Sequence, residues 1–227
     1  MDLSVADLVK LLHVNEEELF SMIHEKKLPA YEIDNEIRFN KTELREWLLE
    51  HHVKVPAMLM DHAEAGTVSL TTLIGRGGVF ANVAGENVFE VIKNAVSYIP
   101  LPFELSRDRV IYALLEREEM MPTAVGKGIA LPHPREPILT ERENQSVSIC
   151  FLKSPIDFKA LDKEPVHTLF VILSADASAH LAILSRISLL CHEEDFLALL
   201  KDRKGAKEII DYIIIKEMEW NSTPNGG

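Results

Sequence analysis

The sequence predicts an α/β (α+β) sandwich, in which a mixed sheet is flanked by helices on both faces, preceded by a small, mainly helical winged helix-turn-helix domain. Three observations support this prediction. The chain has 227 residues, more than one typical small domain. Apolar residues recur at helical spacing three times within the first fifty residues, with one hairpin pattern between them. Residues 68–220 then alternate strand-like and helix-like segments, as a sheet covered by helices requires.

The N-terminal domain is predicted at residues 1–50, in the order helix, helix, hairpin, helix. A capping residue precedes each helix, followed three residues later by an acid, and these residues are Ser4, Asn15 and Asn40. The hairpin strands are Tyr31–Ile33 and Ile37–Phe39. Helix, short turn, helix, hairpin and helix together form the outline of a winged helix-turn-helix.

The rest of the chain is predicted as a linker at residues 51–67, a second domain at 68–220 and a disordered tail at 221–227. The four strands predicted in the second domain are Val68–Ile74, Gly128–Leu131, Val147–Leu152 and Thr168–Leu173. The five helices predicted there are Asn87–Ile99, Ser106–Glu119, Ala177–Cys191, Glu194–Leu200 and Ala206–Ile215.

Charge and hydropathy restrict the class of protein. The net charge is −12, which argues against nonspecific attraction to nucleic acids and to anionic membrane surfaces. No apolar run approaches the length of a membrane span, and the N-terminus lacks the basic and apolar regions of a secretory signal. Cys150 and Cys191 lie in apolar stretches and are predicted to be buried free thiols. We therefore expect a cytoplasmic protein with no membrane insertion.

The most distinctive local feature is a histidine between two prolines. His133 follows an apolar strand and is flanked by Pro132 and Pro134, which restrict the backbone on both sides. Gly126 and Gly128 precede that strand and permit positive φ or close approach of the backbone. An imidazole that is held rigidly can act as a nucleophile or as a metal ligand, and a purely structural role for His133 is the alternative.

The chemistry of neighbouring residues narrows the role of His133. Zinc sites need three or four ligands, and the nearest histidines, His167 and His180, are far away in the sequence, so neither a metal nor another cofactor is expected. A serine hydrolase is disfavoured because the Gly-x-Ser-x-Gly motif is absent. What remains is a covalent histidine nucleophile. For a phosphoryl electrophile, the candidate cradle is Thr123, the backbone N–H groups of Gly126, Lys127 and Gly128, and the cations Arg117 and Lys127.

The stretch Leu115–His133 (LEREEMMPTAVGKGIALPH) resembles the signature of phosphotransferase-system IIA domains of the fructose/mannitol and nitrogen-regulatory type. The resemblance continues through Ser154–Ala160, Val166–Leu173 and Ala179–Ser185. It implies that a phosphohistidine carrier protein, HPr or a nitrogen-type paralogue, donates a phosphoryl group to the chain. A IIB component or a regulatory target protein would be the acceptor.

The resemblance also implies roles for four residues. His133 would be the phosphoryl acceptor, His180 the second histidine that helps to hold the group, Arg117 an arginine of the active-site region and Thr123 a threonine beside it. From the residues alone, His180 would be a surface residue at a helix start and Arg117 part of a solvated helix end. The chain departs from the family pattern at Pro122, Lys127 and Pro134, which replace Ser, Asn and Gly or Ala.

The segment from Leu3 to Leu49 resembles the excisionase/MerR-like helix-turn-helix. The matching parts are Leu3-Ser4, Leu11-Leu12, Lys27–Ala30, Arg38-Phe39 and Leu44–Leu48. Residues 1–50 nevertheless hold twelve acids and six bases, a net charge of −6, and Glu16–Glu18 would open the recognition helix towards the DNA backbone. The candidate nucleic-acid contacts are Lys26, Lys27, Arg38 and Lys41.

Together these features predict a cytoplasmic phosphoryl carrier or regulatory protein of the nitrogen-regulatory IIA type, in which His133 carries the phosphoryl group. Whether the chain counts as an enzyme is left open, because it would be one component of a phosphotransferase. The alternative is a DNA-binding transcriptional regulator whose IIA-like part is a sensor or a degenerate scaffold. Protein docking or dimerisation by the N-terminal domain is the other outcome, because a DNA-binding domain usually shows a basic patch.

Overall fold

A computed structural model describes residues 3–12, 14–25, 28–33, 36–50 and 68–222. The chain divides into two compact units, residues 1–63 and residues 64–227. This division falls inside the predicted linker, and because residues 51–67 lie outside the described residues, the bounds at 50 and 67 stay predictions.

The N-terminal unit contains three helices and a three-stranded sheet. The helices are α1 (Val5–Leu12), α2 (Glu16–His24) and α3 (Lys41–Glu50). The strands are β1 (Leu3–Ser4), β2 (Tyr31–Ile33) and β3 (Glu36–Phe39), and they pair antiparallel in the order β1-β3-β2. The three predicted helices and the hairpin are confirmed. Strand β1 was not predicted, because its two residues are also the start of the capping pattern.

Side-chain caps explain where the first two helices begin. The Asn15 side chain accepts from Glu18 N–H at 2.8 Å, and the Glu18 carboxylate accepts from Asn15 N–H at 2.9 Å. The same reciprocal pair joins Ser4 and Asp7, and the hydrogen bonds from Ser4 lower the pKa of Asp7. Both capping boxes are visible in the sequence as two residues three positions apart, which is why these helix starts were predictable.

The C-terminal unit contains a five-stranded mixed sheet and six helices among the residues from 68 to 222. Its strands are β4 (Val79–Val83), β5 (Ala124–Gly126), β6 (Ile129–Ala130), β7 (Ser146–Ile156) and β8 (Val166–Leu173). Its helices are α4 (Leu70–Gly77), α5 (Val88–Tyr98), α6 (Arg107–Met120), α7 (Ala177–Leu190), α8 (Glu194–Lys201) and α9 (Ala206–Ser222). The strand order is β4-β7-β8-β6-β5, with β4–β7 and β6–β8 parallel and the other two pairs antiparallel.

Helices cover both faces of this sheet, which confirms the predicted fold class. Alternate residues of β7 and β8, such as Cys150 and Leu169, pack in one core cluster with α5 and α6. Phe170 points to the opposite face, where its ring lies 6.4 Å from that of Phe196 on α8. The central strands β7 and β8 are therefore buried on both sides, which is why they read as continuous apolar runs.

Two predictions for this unit were wrong, and two strands were not predicted. Val68–Ile74 is not a strand: helix α4 begins at Leu70, after Ser69 accepts the N–H of Thr72 at 3.2 Å. Strands β4 and β5 were missed because they are short and each pairs with a register shift. Helix α9 runs to Ser222, so residues 221 and 222, predicted as tail, are helical, and residues 223–227 lie outside the described residues.

Candidate active site

His133 is held from both sides by backbone hydrogen bonds. It follows β6, and the chain before it lies between two other segments: Leu131 N–H donates to the Thr123 carbonyl at 3.0 Å, and Ile172 N–H donates to the Pro132 carbonyl at 2.9 Å. The side chain of His133 is fully buried. The predicted stiff mount thus gains its rigidity from neighbouring strands as well as from the flanking prolines.

One hydrogen bond assigns the tautomer of His133. Its Nδ1 lies 2.7 Å from the carbonyl oxygen of Leu131. Because a carbonyl can only accept, Nδ1 carries the proton in this bond. In the neutral imidazole, Nε2 then keeps its lone pair.

His180 lies beside His133, although the two are far apart in the sequence. The ring centroids are 4.7 Å apart and the planes are tilted by 43°. His180 belongs to the first turn of α7, where its N–H donates to the carbonyl of Asp176 at 3.0 Å. The interpretation of His180 as a surface residue was wrong, since only 9% of it is exposed. The N-terminal end of α7, where His180 lies, is electropositive, and an anion bound beside it would be stabilised.

Asp176 fixes the start of α7 and thereby the position of His180. Its carboxylate accepts from Ala179 N–H at 2.9 Å and from Arg142 Nε at 2.7 Å. Burial alone would raise the pKa of Asp176, but these hydrogen bonds lower it overall. The cap is therefore ionised and complete at neutral pH.

Replacing Asp176 by alanine is expected to cost about 1 kcal/mol of stability, the usual value of a lost N-cap. Since the pKa of Asp176 is lower in the folded state, the ionised carboxylate stabilises the fold above the unfolded-state pKa. That contribution should disappear as the pH falls through the lowered pKa. Urea unfolding of both proteins at neutral and acidic pH measures this, and an equal difference at both pH values would contradict it.

Arg117 and Thr123 flank the connection between α6 and β5. Arg117 lies in the last turn of α6 and is buried, so the interpretation as a solvated helix end was wrong; its Nη1 donates to the Met121 carbonyl at 2.9 Å. Thr123 is also buried, and both its N–H and its hydroxyl donate to the carboxylate of Glu118. Sequence reasoning missed Glu118, because an acid within a run of charged residues at a helix end carries no signal of burial.

The turn formed by Gly126, Lys127 and Gly128 lies away from His133 and His180. Lys127 N–H donates to Asp162 at 2.7 Å, and Lys127 Nζ donates to the carbonyl of Cys191 at 3.1 Å. Cys191 caps the far end of α7, eleven residues after His180, which corresponds to about 16 Å along the helix. The predicted phosphate-cradling role of this turn therefore does not fit the geometry. Lys127 instead interacts with the negative end of α7.

The same turn explains the two glycines in the motif. All three of its residues have positive φ, 87° at Gly126, 54° at Lys127 and 73° at Gly128. A Cβ atom on Gly128 would also lie 2.4 Å from Cδ2 of the His167 ring. The glycines thus serve the backbone of a tight turn between β5 and β6.

Gly128→Ala is expected to destabilise the C-terminal unit by about 1–3 kcal/mol, because it combines an unfavourable φ with a steric clash. Gly75→Ala is the matched control: Gly75 lies inside α4, and a Cβ there meets nothing within 4 Å. The control should raise stability by up to about 1 kcal/mol. Thermal unfolding of the two variants decides this, and a similar melting temperature for both would contradict the interpretation.

The cysteines take no part in this site. Cys150 and Cys191 are free and buried, as predicted, and burial raises the pKa of each thiol to about 12. Within residues 68–222 and the described parts of the N-terminal unit, no group of three metal-ligating side chains comes together. No helix in those same segments is long and apolar enough to cross a membrane.

The candidate nucleic-acid contacts of the N-terminal unit are only partly described. Lys26 and Lys27 lie outside the described residues. The guanidinium of Arg38 is paired with Glu36 on the same strand, whereas Lys41 is exposed at the start of α3. The first turn of α2 is formed by Glu16–Glu18 and is exposed. The charge of this helix opposes an approach to a phosphate backbone.

Comparison with known proteins agrees with this architecture. The family model described as "Phosphoenolpyruvate-dependent sugar phosphotransferase system, EIIA 2" matches residues 73–216, and a "Helix-turn-helix domain" model matches residues 3–52. The chain is 30% identical over 152 residues to the nitrogen regulatory protein of Pseudomonas aeruginosa, a match that covers 65% of this chain and 96% of that protein.

Two further similarities concern a longer protein and a solved structure. The chain is 29% identical over 150 residues to the fructose-specific EIIABC component of Bacillus subtilis, covering 64% of this chain but only 23% of that protein. The crystal structure of the nitrogen regulatory protein IIA-Ntr from Neisseria meningitidis has a TM-score of 0.54 at 20% identity, covering 65% of this chain and 97% of that one. This structural likeness shows the fold.

The fold and the site define a mixed α/β domain in which a buried histidine on a rigid loop faces a second histidine at a helix start. The chain belongs to the type 2 EIIA family of the phosphoenolpyruvate-dependent sugar phosphotransferase system, with a helix-turn-helix domain at its N-terminal end. The resemblance predicted from the sequence is confirmed.

Proposed function

We propose that the chain is a phosphoryl carrier of the nitrogen-regulatory IIA type and that His133 accepts the phosphoryl group. One observation carries this proposal: the buried imidazole of His133 has its Nδ1 on the Leu131 carbonyl and its ring 4.7 Å from that of His180. The similarity to nitrogen regulatory proteins supports the same assignment. In this proposal the IIA-like domain spans residues 68–220, and the linker 51–67 joins it to the N-terminal domain, residues 1–50.

The transfer step balances without movement of a proton. The Nε2 lone pair of neutral His133 attacks the phosphorus of a protonated phosphohistidine on the carrier protein. The P–N bond of the donor breaks, and its electron pair returns to the donor nitrogen, which leaves as a neutral imidazole. The phosphorylated His133 is then the cationic species, and the Leu131 carbonyl accepts from its Nδ1–H.

Stabilisation of the transferring group falls to residues around the imidazole. The electropositive first turn of α7 and the side chain of His180 lie against His133. Arg117 is a buried cation in the segment that leads to Thr123. The Thr123 carbonyl accepts the hydrogen bond from Leu131 N–H. Because His133 is fully buried, the imidazole or its neighbours must move to admit a partner.

The partners follow from this assignment as part of the proposal. The donor is a phosphohistidine carrier, HPr or a nitrogen-type paralogue, and the acceptor is a IIB component or a regulatory target protein in the cytoplasm. The N-terminal domain would convert the phosphorylation state into an output. No cofactor or metal takes part in the step.

The test is phosphorylation of the purified chain by phosphoenolpyruvate, enzyme I and the carrier protein, followed by intact mass. The expected result is the gain of one phosphoryl group that requires the carrier. Omission of the carrier is the control. No gain of mass with all components present would overturn the proposal.

Replacing His180 by alanine should slow this transfer by about 10²–10³-fold, the cost of losing one preorganised stabilising group. His192→Ala is the matched control, since His192 is exposed beyond the end of α7, about 18 Å along the helix from His180. Rapid-quench measurement of the transfer rate, with circular dichroism to verify folding, gives the result. A folded His180→Ala protein with the rate of the His192 variant would exclude this role.

DNA binding is the alternative output, favoured by the helix-turn-helix match at residues 3–52. A gel-shift assay with DNA from the protein's own promoter region, at several salt concentrations, tests it. Binding that weakens with salt and depends on sequence would support a transcriptional regulator. No shift at low salt would leave protein docking as the output.

A further inference from the structure

Glu118 makes an unusual set of contacts beside the candidate site. It is a partly buried residue in the last turn of α6. Its carboxylate accepts from Thr123 N–H at 3.2 Å to each oxygen, and Oε2 also accepts from the Thr123 hydroxyl. One carboxylate therefore takes up both side-chain and backbone donors of a residue that the family resemblance places in the site.

The surroundings of Glu118 disfavour its negative charge. Burial raises the pKa of this carboxyl, even though the bonds from Thr123 and the charge of Arg117 oppose the effect. A carboxylate in the last turn of a helix also lies near the negative end of the helix dipole. What Glu118 contributes is its hydrogen bonds to Thr123.

A short series of hydrogen bonds connects Glu118 with the imidazole. Thr123 donates to Glu118, and the Thr123 carbonyl accepts from Leu131 N–H at 3.0 Å. The Leu131 carbonyl, in turn, contacts Nδ1 of His133 at 2.7 Å. Thr123 and Leu131 thus link the Glu118 carboxylate to Nδ1 of His133. The protonation of Nδ1 decides which nitrogen of His133 has a free lone pair.

We propose that Glu118 is a positioning residue for His133. By anchoring Thr123, it places Leu131 so that the Leu131 carbonyl holds the Nδ1–H tautomer and leaves Nε2 for phosphoryl transfer. Thr123 then acts through this anchor and not by direct contact with the phosphoryl group. The inference rests on the proposed function of His133 as the acceptor.

Three variants test the proposal in the phosphorylation assay. Glu118→Ala removes the acceptor, Glu118→Gln keeps one oxygen acceptor, and Glu119→Gln is the control at the exposed neighbouring glutamate. We expect Glu118→Ala to lower the maximal transfer rate about tenfold at unchanged KM for the phosphorylated carrier, because the nucleophile is misplaced but docking is not. Glu118→Gln should stay within about threefold of wild type, and Glu119→Gln should match it.

The tautomer of His133 separates positioning from a structural role. In ¹⁵N-labelled protein, the imidazole shifts should report Nδ1–H in wild type and in Glu118→Gln, and a mixture of tautomers in folded Glu118→Ala. A purely structural role would leave the tautomer of folded molecules unchanged. If Glu118→Ala does not fold, Thr123→Val replaces it: loss of one bond to Glu118 should slow transfer about threefold.

The outcomes distinguish this inference from the function on which it rests. If wild type gains no phosphoryl group, the proposed function fails. If wild type is phosphorylated and folded Glu118→Ala transfers at the same rate, or Thr123→Val does so when Glu118→Ala is unfolded, only the positioning role is overturned. Equal slowing in Glu118→Gln and Glu118→Ala would also overturn it, because the negative charge and not the hydrogen bonds would then matter.

Discussion

Replacing His133 by alanine is expected to abolish phosphorylation of the chain by the phosphohistidine carrier. The loss should be complete because the imidazole supplies the bond to phosphorus, and alanine offers no nucleophile. His133 is fully buried and its Nδ1 contacts the Leu131 carbonyl, so the substitution also removes this contact. Intact mass after incubation with phosphoenolpyruvate, enzyme I and carrier measures the effect.

The control for this experiment is His192→Ala, which removes an exposed histidine from the end of α7 that is remote from His180. It should be phosphorylated like wild type. Phosphorylation of His133→Ala to the same extent as the control would show that another residue accepts the group.

Glu217→Ala is expected to lower the free energy of unfolding by about 3–5 kcal/mol, the range for breaking a buried ion pair by removing one partner. Glu217 on α9 is buried, and its carboxylate accepts from Ser69 Oγ at 3.1 Å, Leu70 N–H at 2.6 Å and Thr71 Oγ1 at 2.8 Å. It also lies 3.8 Å from the buried guanidinium of Arg186. The substitution thus removes the acceptor of Leu70 N–H at the start of α4 and the carboxylate that faces Arg186.

Glu219→Ala is the matched control on the same helix. Glu219 is exposed and pairs with Lys216 at 3.2 Å, so its loss should cost at most about 1 kcal/mol. Urea unfolding at neutral pH compares the two variants. A loss below about 1 kcal/mol for Glu217→Ala would contradict a role in holding α4 and α9 together.

Features that depend on nearby residues were predictable from the sequence. Helices α1 and α2 follow the capping residues Ser4 and Asn15, whose partners lie three positions later, and both helices were predicted. His133 stood out because its two prolines and the preceding strand are its immediate neighbours. Strands β7 and β8 were predicted as well, since long β-branched and apolar runs favour buried strands.

Features that depend on distant residues were not predictable from the sequence. The start of helix α4 is held by Glu217, 147 positions from Leu70, in addition to the Ser69 cap, and the Thr, Leu and Ile residues of α4 are typical of a strand. Lys127 was placed at the phosphoryl group because it adjoins the motif, but its partner is Cys191, at the remote end of α7. The pairing of His180 with His133 followed from the family resemblance and not from spacing, because no local pattern links residues on a loop and on a later helix.

The most direct test of the account is the location of the phosphoryl group. Wild-type protein labelled with ¹⁵N in its histidines is phosphorylated by the carrier and studied by ³¹P–¹⁵N correlated NMR. We expect the phosphorus to couple to Nε2 of His133, because the Leu131 carbonyl holds the proton on Nδ1. Phosphorus bound to Nδ1 of His133, or to any other residue, would contradict the account.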